Sequence, residues 1–143
     1  RVAPLDKGMT LPQLAPKMIG AMIAPGMAGE DIDRVVRVVS GMREETFRAA
    51  VYAITQFEGR DVLPLITAPT LCISGAHDLA AAPPKVMEKM AGKIAGSEYH
   101  CMDNVGHFGW AEDADGFNTL LIEFLDRKVK NAARDVADIA VSH

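Results

Sequence analysis

The chain has 143 residues, 49% of them hydrophobic and 24% charged, with a formal net charge of −4. That is the length of one ordinary domain, and it is too apolar and too weakly charged for a disordered chain. The acidic balance argues against sequence-independent nucleic-acid binding, which needs a basic stripe. No apolar run approaches the length of a membrane span.

Arg1 is followed by Val-Ala-Pro-Leu-Asp with no apolar core, so no signal peptide is expected. The chain up to Arg60 reads as helical. Thr10 is a candidate N-cap with Gln13 as its capping-box partner. Leu11, Leu14, Met18 and Met22 follow at helical spacing, and Pro25-Gly26 ends that segment. Glu30 and Asp31 suit the positive start of a second helix, whose face is Ile32, Val35, Val36, Val39 and Met42. A third begins near Arg43 and carries Phe47, Ala50, Val51, Ile54 and Phe57 on one side, with Gly59 as its stop.

The composition then shifts. Asp61 to Ile66 is turn-like, with Pro64. Thr70 to Ser74 is a short apolar run between Pro69 and Gly75, which reads as a buried strand. Pro83 and Pro84 open a helix with Val86, Met87, Met90 and Ile94 inward, ended by Gly96. Ser97 to Met102 is a second strand, and Asp103 to Gly109 a loop. Asp113 or Asp115 caps a last helix with Phe117, Leu120, Leu121, Phe124 and Leu125 as its face. That face continues weakly through Val129, Ala132, Val136 and Ile139, so the helix is expected to run past Asp126. Cys72 and Cys101 lie in the two strand-like runs and are expected as buried free thiols of a reducing, cytoplasmic compartment. Strand, helix, strand, helix implies a right-handed parallel crossover in an α/β sheet.

The chemistry gathers at the carboxyl ends of the two strands. One leads to Gly75-Ala76-His77-Asp78, the other to Asp103-Asn104-Val105-Gly106-His107-Phe108. In open α/β sheets, ligands and catalytic side chains collect at strand carboxyl ends. If the strands are parallel neighbours, Asp78 and His107 can meet. A carboxylate on one imidazole nitrogen fixes the tautomer and stabilises the imidazolium, which frees the other nitrogen to act as a base.

From about Asp61 to Leu125 the sequence resembles the α/β-hydrolase family. The resemblance rests on Ile66-Thr67-Ala68-Pro69-Thr70-Leu71, on Ser74-Gly75-Ala76-His77-Asp78, on Gly106-His107 and on the helix from Phe117. It implies that Asp78 is the triad acid and His107 the general base. It also implies that residues 1–60 are the helical cap, or lid, and that 61–143 are the C-terminal βαβα portion of a parallel core sheet, an incomplete α/β fold. Among subfamilies the resemblance is to small-molecule ester and enol-lactone hydrolases.

The family's nucleophile elbow, Gly-x-Ser-x-Gly on a strand-to-helix turn, is absent from the sequence. Ser40, Ser74, Ser97 and Ser142 all lack glycine two residues away on both sides, and neither Cys72 nor Cys101 sits in an elbow. The oxyanion-hole glycine stretch is missing as well. The expectation is a C-terminal segment that begins after those elements. Where the family often has Glu-x-Pro before the last helix, this chain has Glu112-Asp113-Ala114.

Several residues carry two readings. Phe108 and Trp110 either line the site mouth or pack their loop. Met18 and Met22, with Met27 and Met42, either pack the cap or line an apolar acyl pocket. His77 is expected to point to solvent or a backbone carbonyl, and His100 to be an ordinary strand residue. His77, Asp78, His100, Cys101 and His107 match no zinc spacing, so no metal is expected. Gly26 and Gly29 fit no phosphate-cradling loop, so no cofactor is expected.

Two functions follow. The chain is the acid-and-base portion of a serine hydrolase for a small ester or lactone, inert without its nucleophile and completed by an N-terminal half. Alternatively it is a non-catalytic α/β module that associates with a copy of itself or another chain through an exposed strand edge and the cap.

Overall fold

Residues 2–141 are described by a computed structural model, with side chains through Asn131. A helical cap comes first: α1 (Ala3–Asp6), α2 (Leu11–Gly20), α3 (Glu30–Ser40) and α4 (Glu44–Gln56). A 3-10 turn at Leu63–Leu65 leads to β1 (Leu71–Gly75), α5 (Pro84–Ala91), β2 (Glu98–Met102), the short α6 (Gly109–Glu112) and the long α7 (Ala114–Val141).

The cap has its own apolar cluster. Leu5, Leu11, Leu14 and Phe47 are buried together, with Met9, Met18, Val39, Met42 and Val51 packed against them. Helix α2 starts where the capping pair puts it: the Gln13 side chain accepts the Thr10 backbone N–H at 2.9 Å. It ends at Gly20, five residues before the expected Pro25-Gly26 break, so Met22 lies beyond the helix. Ala15 and Ile19, outside the expected stripe, are the most deeply buried residues of α2. Arg48 of α4 ties two cap helices, donating to Asp6 at 2.6 Å and Glu44 at 2.8 Å.

The expected face of α4 is only half used. Phe47 is buried, while Ile54 is 65% and Phe57 80% exposed. The cluster reaches α4 only through Phe47 and Val51, which belong to its first two turns. Val86, Leu125 and Val129, expected on inward faces, are likewise exposed. Ile94 and Phe124 of those faces are buried as expected, and Ala91, outside them, is buried as well.

β1 and β2 pair in parallel, with Leu71 opposite Glu98 and Gly75 opposite Met102. Among the described residues this is a two-stranded, unclosed sheet, crossed over by α5. Tyr99 pins the unit: its hydroxyl shares a 2.8 Å hydrogen bond with Ser74 Oγ and donates to the Pro84 carbonyl at 3.1 Å. Cys72 is buried as expected, but Cys101, towards the end of β2, is exposed.

Of the two candidate caps for the last helix, Asp113 is the one used. Its Oδ1 accepts the Gly116 N–H at 3.0 Å, and its carbonyl accepts the Phe117 N–H at 2.9 Å. The helix does run past Asp126, to Val141. The side chains of Ala132, Val136 and Ile139 lie outside the described residues, as does Ser142. No helix among the described residues is long and apolar enough to cross a membrane.

Candidate active site

The site grows from the ends of the two strands. Beyond β1 the chain keeps contact with the β2 side: the Ala76 N–H donates to the Met102 carbonyl at 2.8 Å, and that of His77 to the Val105 carbonyl at 3.0 Å. It then turns on itself, with the Asp78 N–H on the Gly75 carbonyl at 3.0 Å. This turn leaves the Asp78 side chain 2% exposed. A buried carboxylate needs partners, and this one has three. Oδ1 accepts the Ala81 N–H at 2.9 Å, and Oδ2 accepts the Ala82 N–H at 2.9 Å and meets His107 Nδ1 at 2.7 Å. Burial pushes the Asp78 carboxyl up, but the Ala81 N–H, the His107 ring and the Ala82 N–H together outweigh it. The group is held below its ordinary value.

Beyond β2 the loop is anchored by Val105, which is 1% exposed. The His107 N–H donates to the Met22 carbonyl in the cap at 2.7 Å. Its ring is held from Nδ1, and the side chain is 36% exposed, so Nε2 is left for a reacting group. Phe108 packs edge-on against the His107 ring at 5.1 Å between centroids, and Trp110 edge-on against Phe108 at 6.3 Å. Trp110 is 48% exposed.

No described serine faces this imidazole. Ser74 Oγ is paired with the Tyr99 hydroxyl, Ser97 Oγ donates to the Ala91 carbonyl at 2.7 Å, and Ser40 closes α3. Among the described residues no cluster of His, Cys, Asp or Glu has a metal-holding arrangement.

A buried acid, a histidine held from one nitrogen, two parallel strands with a crossover helix and a helical cap in front define the comparison. The enol-lactonase from Burkholderia xenovorans LB400 superposes with a TM-score of 0.72 at 27% identity, over 81% of this chain and 45% of that one. The chain carries the α/β-hydrolase fold. Of that fold the described residues supply the cap helices and two C-terminal core strands, with an acid–base pair and no positioned nucleophile.

Curated relatives match part of the chain. A 2-hydroxy-6-oxononadienedioate/2-hydroxy-6-oxononatrienedioate hydrolase of Klebsiella pneumoniae is 42% identical over 62 residues, 43% of this chain and 21% of that protein. A proline iminopeptidase of Lactobacillus helveticus is 37% identical over 71 residues, 50% of this chain and 24% of that protein. The chain thus spans about a fifth to a quarter of those relatives' length as aligned. No protein-family model matches it.

The structure brings Asp78, His107, Phe108 and Trp110 to one edge, and Met22 touches that edge through its carbonyl. Met18 instead packs against the cap cluster. His77 and His100 are both exposed. Three further residues belong to the site, none of them expected there from the sequence. A Cβ on Gly75 would collide with the Gly106 and Val105 carbonyls, and one on Gly106 with the Met22 carbonyl. Glu112 accepts backbone N–H groups from both the loop and the cap. In the sequence Gly75 shows as the end of a strand, Gly106 in the Gly106-His107 pair and Glu112 at the start of Glu112-Asp113-Ala114.

Proposed function

We propose that this chain supplies the acid and the general base of a serine-type hydrolase acting on a small-molecule ester or lactone. The reading rests on one observation above all: the Asp78 carboxylate on His107 Nδ1 at 2.7 Å, at the carboxyl ends of paired parallel strands. A serine brought to His107 Nε2 would lose its proton to that nitrogen as it attacks the carbonyl. The imidazolium, stabilised by Asp78, would return the proton to the leaving alkoxide, and Nε2 would next activate water. The lactonase name of the Burkholderia protein supports the substrate class, and the hydrolase name of the Klebsiella protein supports the reaction class. The iminopeptidase name supports an amide as the second choice.

In this reading residues 1–60 form the lid and 61–143 the core portion. Phe108 and Trp110 border the substrate mouth, Met22 lies at its cap side, and Met18 backs it from the cap cluster. The two free cysteines fit a cytoplasmic setting. The chain by itself is expected to be inert, since a base without nucleophile or oxyanion donors gives little acceleration. An activated ester tests this directly: turnover by the chain alone that disappears in His107→Ala would overturn it.

A second reading is favoured by the exposed Tyr52, Ile54 and Phe57 on α4 and by the two-stranded sheet. Such surfaces favour association with another copy or with a complementing N-terminal half. Sedimentation at low concentration decides it: a dimer supports self-association, and a compact monomer contradicts it.

A further inference from the structure

Glu112 stands five residues after His107 at the end of α6, and its side chain turns back over the histidine loop. Its Oε2 accepts the Gly106 N–H at 2.8 Å and the Ala24 N–H at 2.7 Å, and its Oε1 accepts the Phe108 N–H at 2.9 Å. Gly106 and Phe108 flank His107, whose own N–H is taken by the Met22 carbonyl at 2.7 Å. Three consecutive loop amides are thereby fixed, two on Glu112 and one on the cap. The same carboxylate reaches 88 residues back in sequence to hold Ala24.

We propose that Glu112 is the positioning residue of this site: one carboxylate clamps the cap segment at Met22–Ala24 to the loop at Gly106–Phe108 and so aims the His107 ring at Asp78. The physical case is direct. The His107 side chain is 36% exposed, and the ring packed against it is Phe108, a residue of the same loop. Its aim then depends on where its backbone sits, and that backbone is set by the amides on either side. Hydrogen bonds from N–H groups to a carboxylate are stronger than neutral ones. Three donors on two oxygens cannot be replaced by an amide, which has one acceptor oxygen and would face the remaining N–H with another donor. Gly106 belongs to the same device. Its lack of a side chain lets the loop approach the Met22 carbonyl and the Ile23 backbone closely enough for the clamp to close. Glu112 itself touches no reacting atom; it acts through the histidine.

This role rests on the acid–base reading of Asp78 and His107, and the test separates the two. The 15N-labelled 143-residue chain is compared with Glu112→Ala, Glu112→Gln and Asp78→Asn by amide hydrogen exchange and by imidazole 1H–15N spectra at neutral pH. In Glu112→Ala the amides of Ala24, Gly106 and Phe108 should exchange at least about tenfold faster, as expected for a lost hydrogen bond. The His107 Nδ1–H signal should broaden or vanish, while the Leu14 and Phe47 amides of the cap cluster keep their protection. Glu112→Gln, which preserves size, should do the same at one or more of the three amides and weaken the imidazole signal. Asp78→Asn should change the imidazole signal and leave the three amides protected. An unchanged His107 signal in the Glu112 variants, with or without faster amide exchange, overturns the positioning role. Hydrolysis that proves indifferent to His107 overturns the functional reading instead, and the spectra are blind to that result.

Discussion

Gly75 backs directly onto the carbonyl of Gly106, so the last residue of β1 and the residue before the histidine touch through bare backbone. A side chain on Gly75 would meet the Gly106 and Val105 carbonyls, which cannot rotate away as a flexible side chain would. The contact lets the two strand ends lie close enough for Asp78 and His107 to bond.

Gly75→Ala should therefore force the histidine loop outward. The expected loss is about 1–3 kcal/mol, the usual range for overpacking a filled site. Urea denaturation measures it. An Asp78–His107 imidazole signal that survives the substitution at full stability would contradict the contact.

Asp78 gives the chain an acid-sensitive site with a definite sign. Its folded value lies below its unfolded one, so as pH falls the unfolded chain takes up this proton first. The stabilisation is complete above the ordinary carboxylate value and is lost as pH falls through the folded one. Asp78→Asn should lower stability at neutral pH by about 1–3 kcal/mol, because it leaves a buried donor poorly matched. It should also flatten the acid limb of the stability curve. Urea midpoints measured from neutral pH into the acid range, for both proteins, check the two effects together.

The cap separates two phenylalanines that the sequence treated alike. Phe47 is 6% exposed and Phe57 80%. Phe47→Ala should cost about 3–5 kcal/mol, as for a deleted core aromatic. Phe57→Ala should stay within about 0.5 kcal/mol if no partner covers that surface. A large loss at Phe57 that depends on protein concentration would instead show the surface to be an interface.

The helical periodicity of α4 was legible, and so was its start; which of its turns would be covered was not. Amphipathic spacing states which residues share a face, and says nothing about whether another element is present to bury them. The same limit applies to Val86 and Leu125. The site was legible where chemistry is local: an acid after one strand, a histidine after the next, and a helix between them. Glu112 was not, because its role is to collect N–H groups from two segments 88 residues apart, and backbone donors leave no mark in a sequence. Gly75 and Gly106 were visible as glycines, but the backbones they approach are defined only once β1 and β2 pair in parallel.

The two cysteines are a simple check on how the two strands are covered. Cys72 is buried, and burial also pushes its thiol up, so it should resist alkylation in the folded chain. Cys101 is exposed and should react. Mass spectrometry after brief iodoacetamide treatment should find a single adduct, on Cys101. Modification of Cys72 at the same rate would contradict its burial.

The central claim is that Asp78 and His107 are the acid and base of a hydrolase. It is tested most directly by adding back the missing chemistry. The chain is combined with an N-terminal hydrolase half chosen to carry a Gly-x-Ser-x-Gly elbow, and kcat/KM is measured on an activated ester for the wild type, Asp78→Asn and His107→Ala. The account predicts hydrolysis by the combined protein that falls by about 10⁴-fold in either variant, the scale on which a triad loses a member. Hydrolysis of equal rate in all three would contradict it.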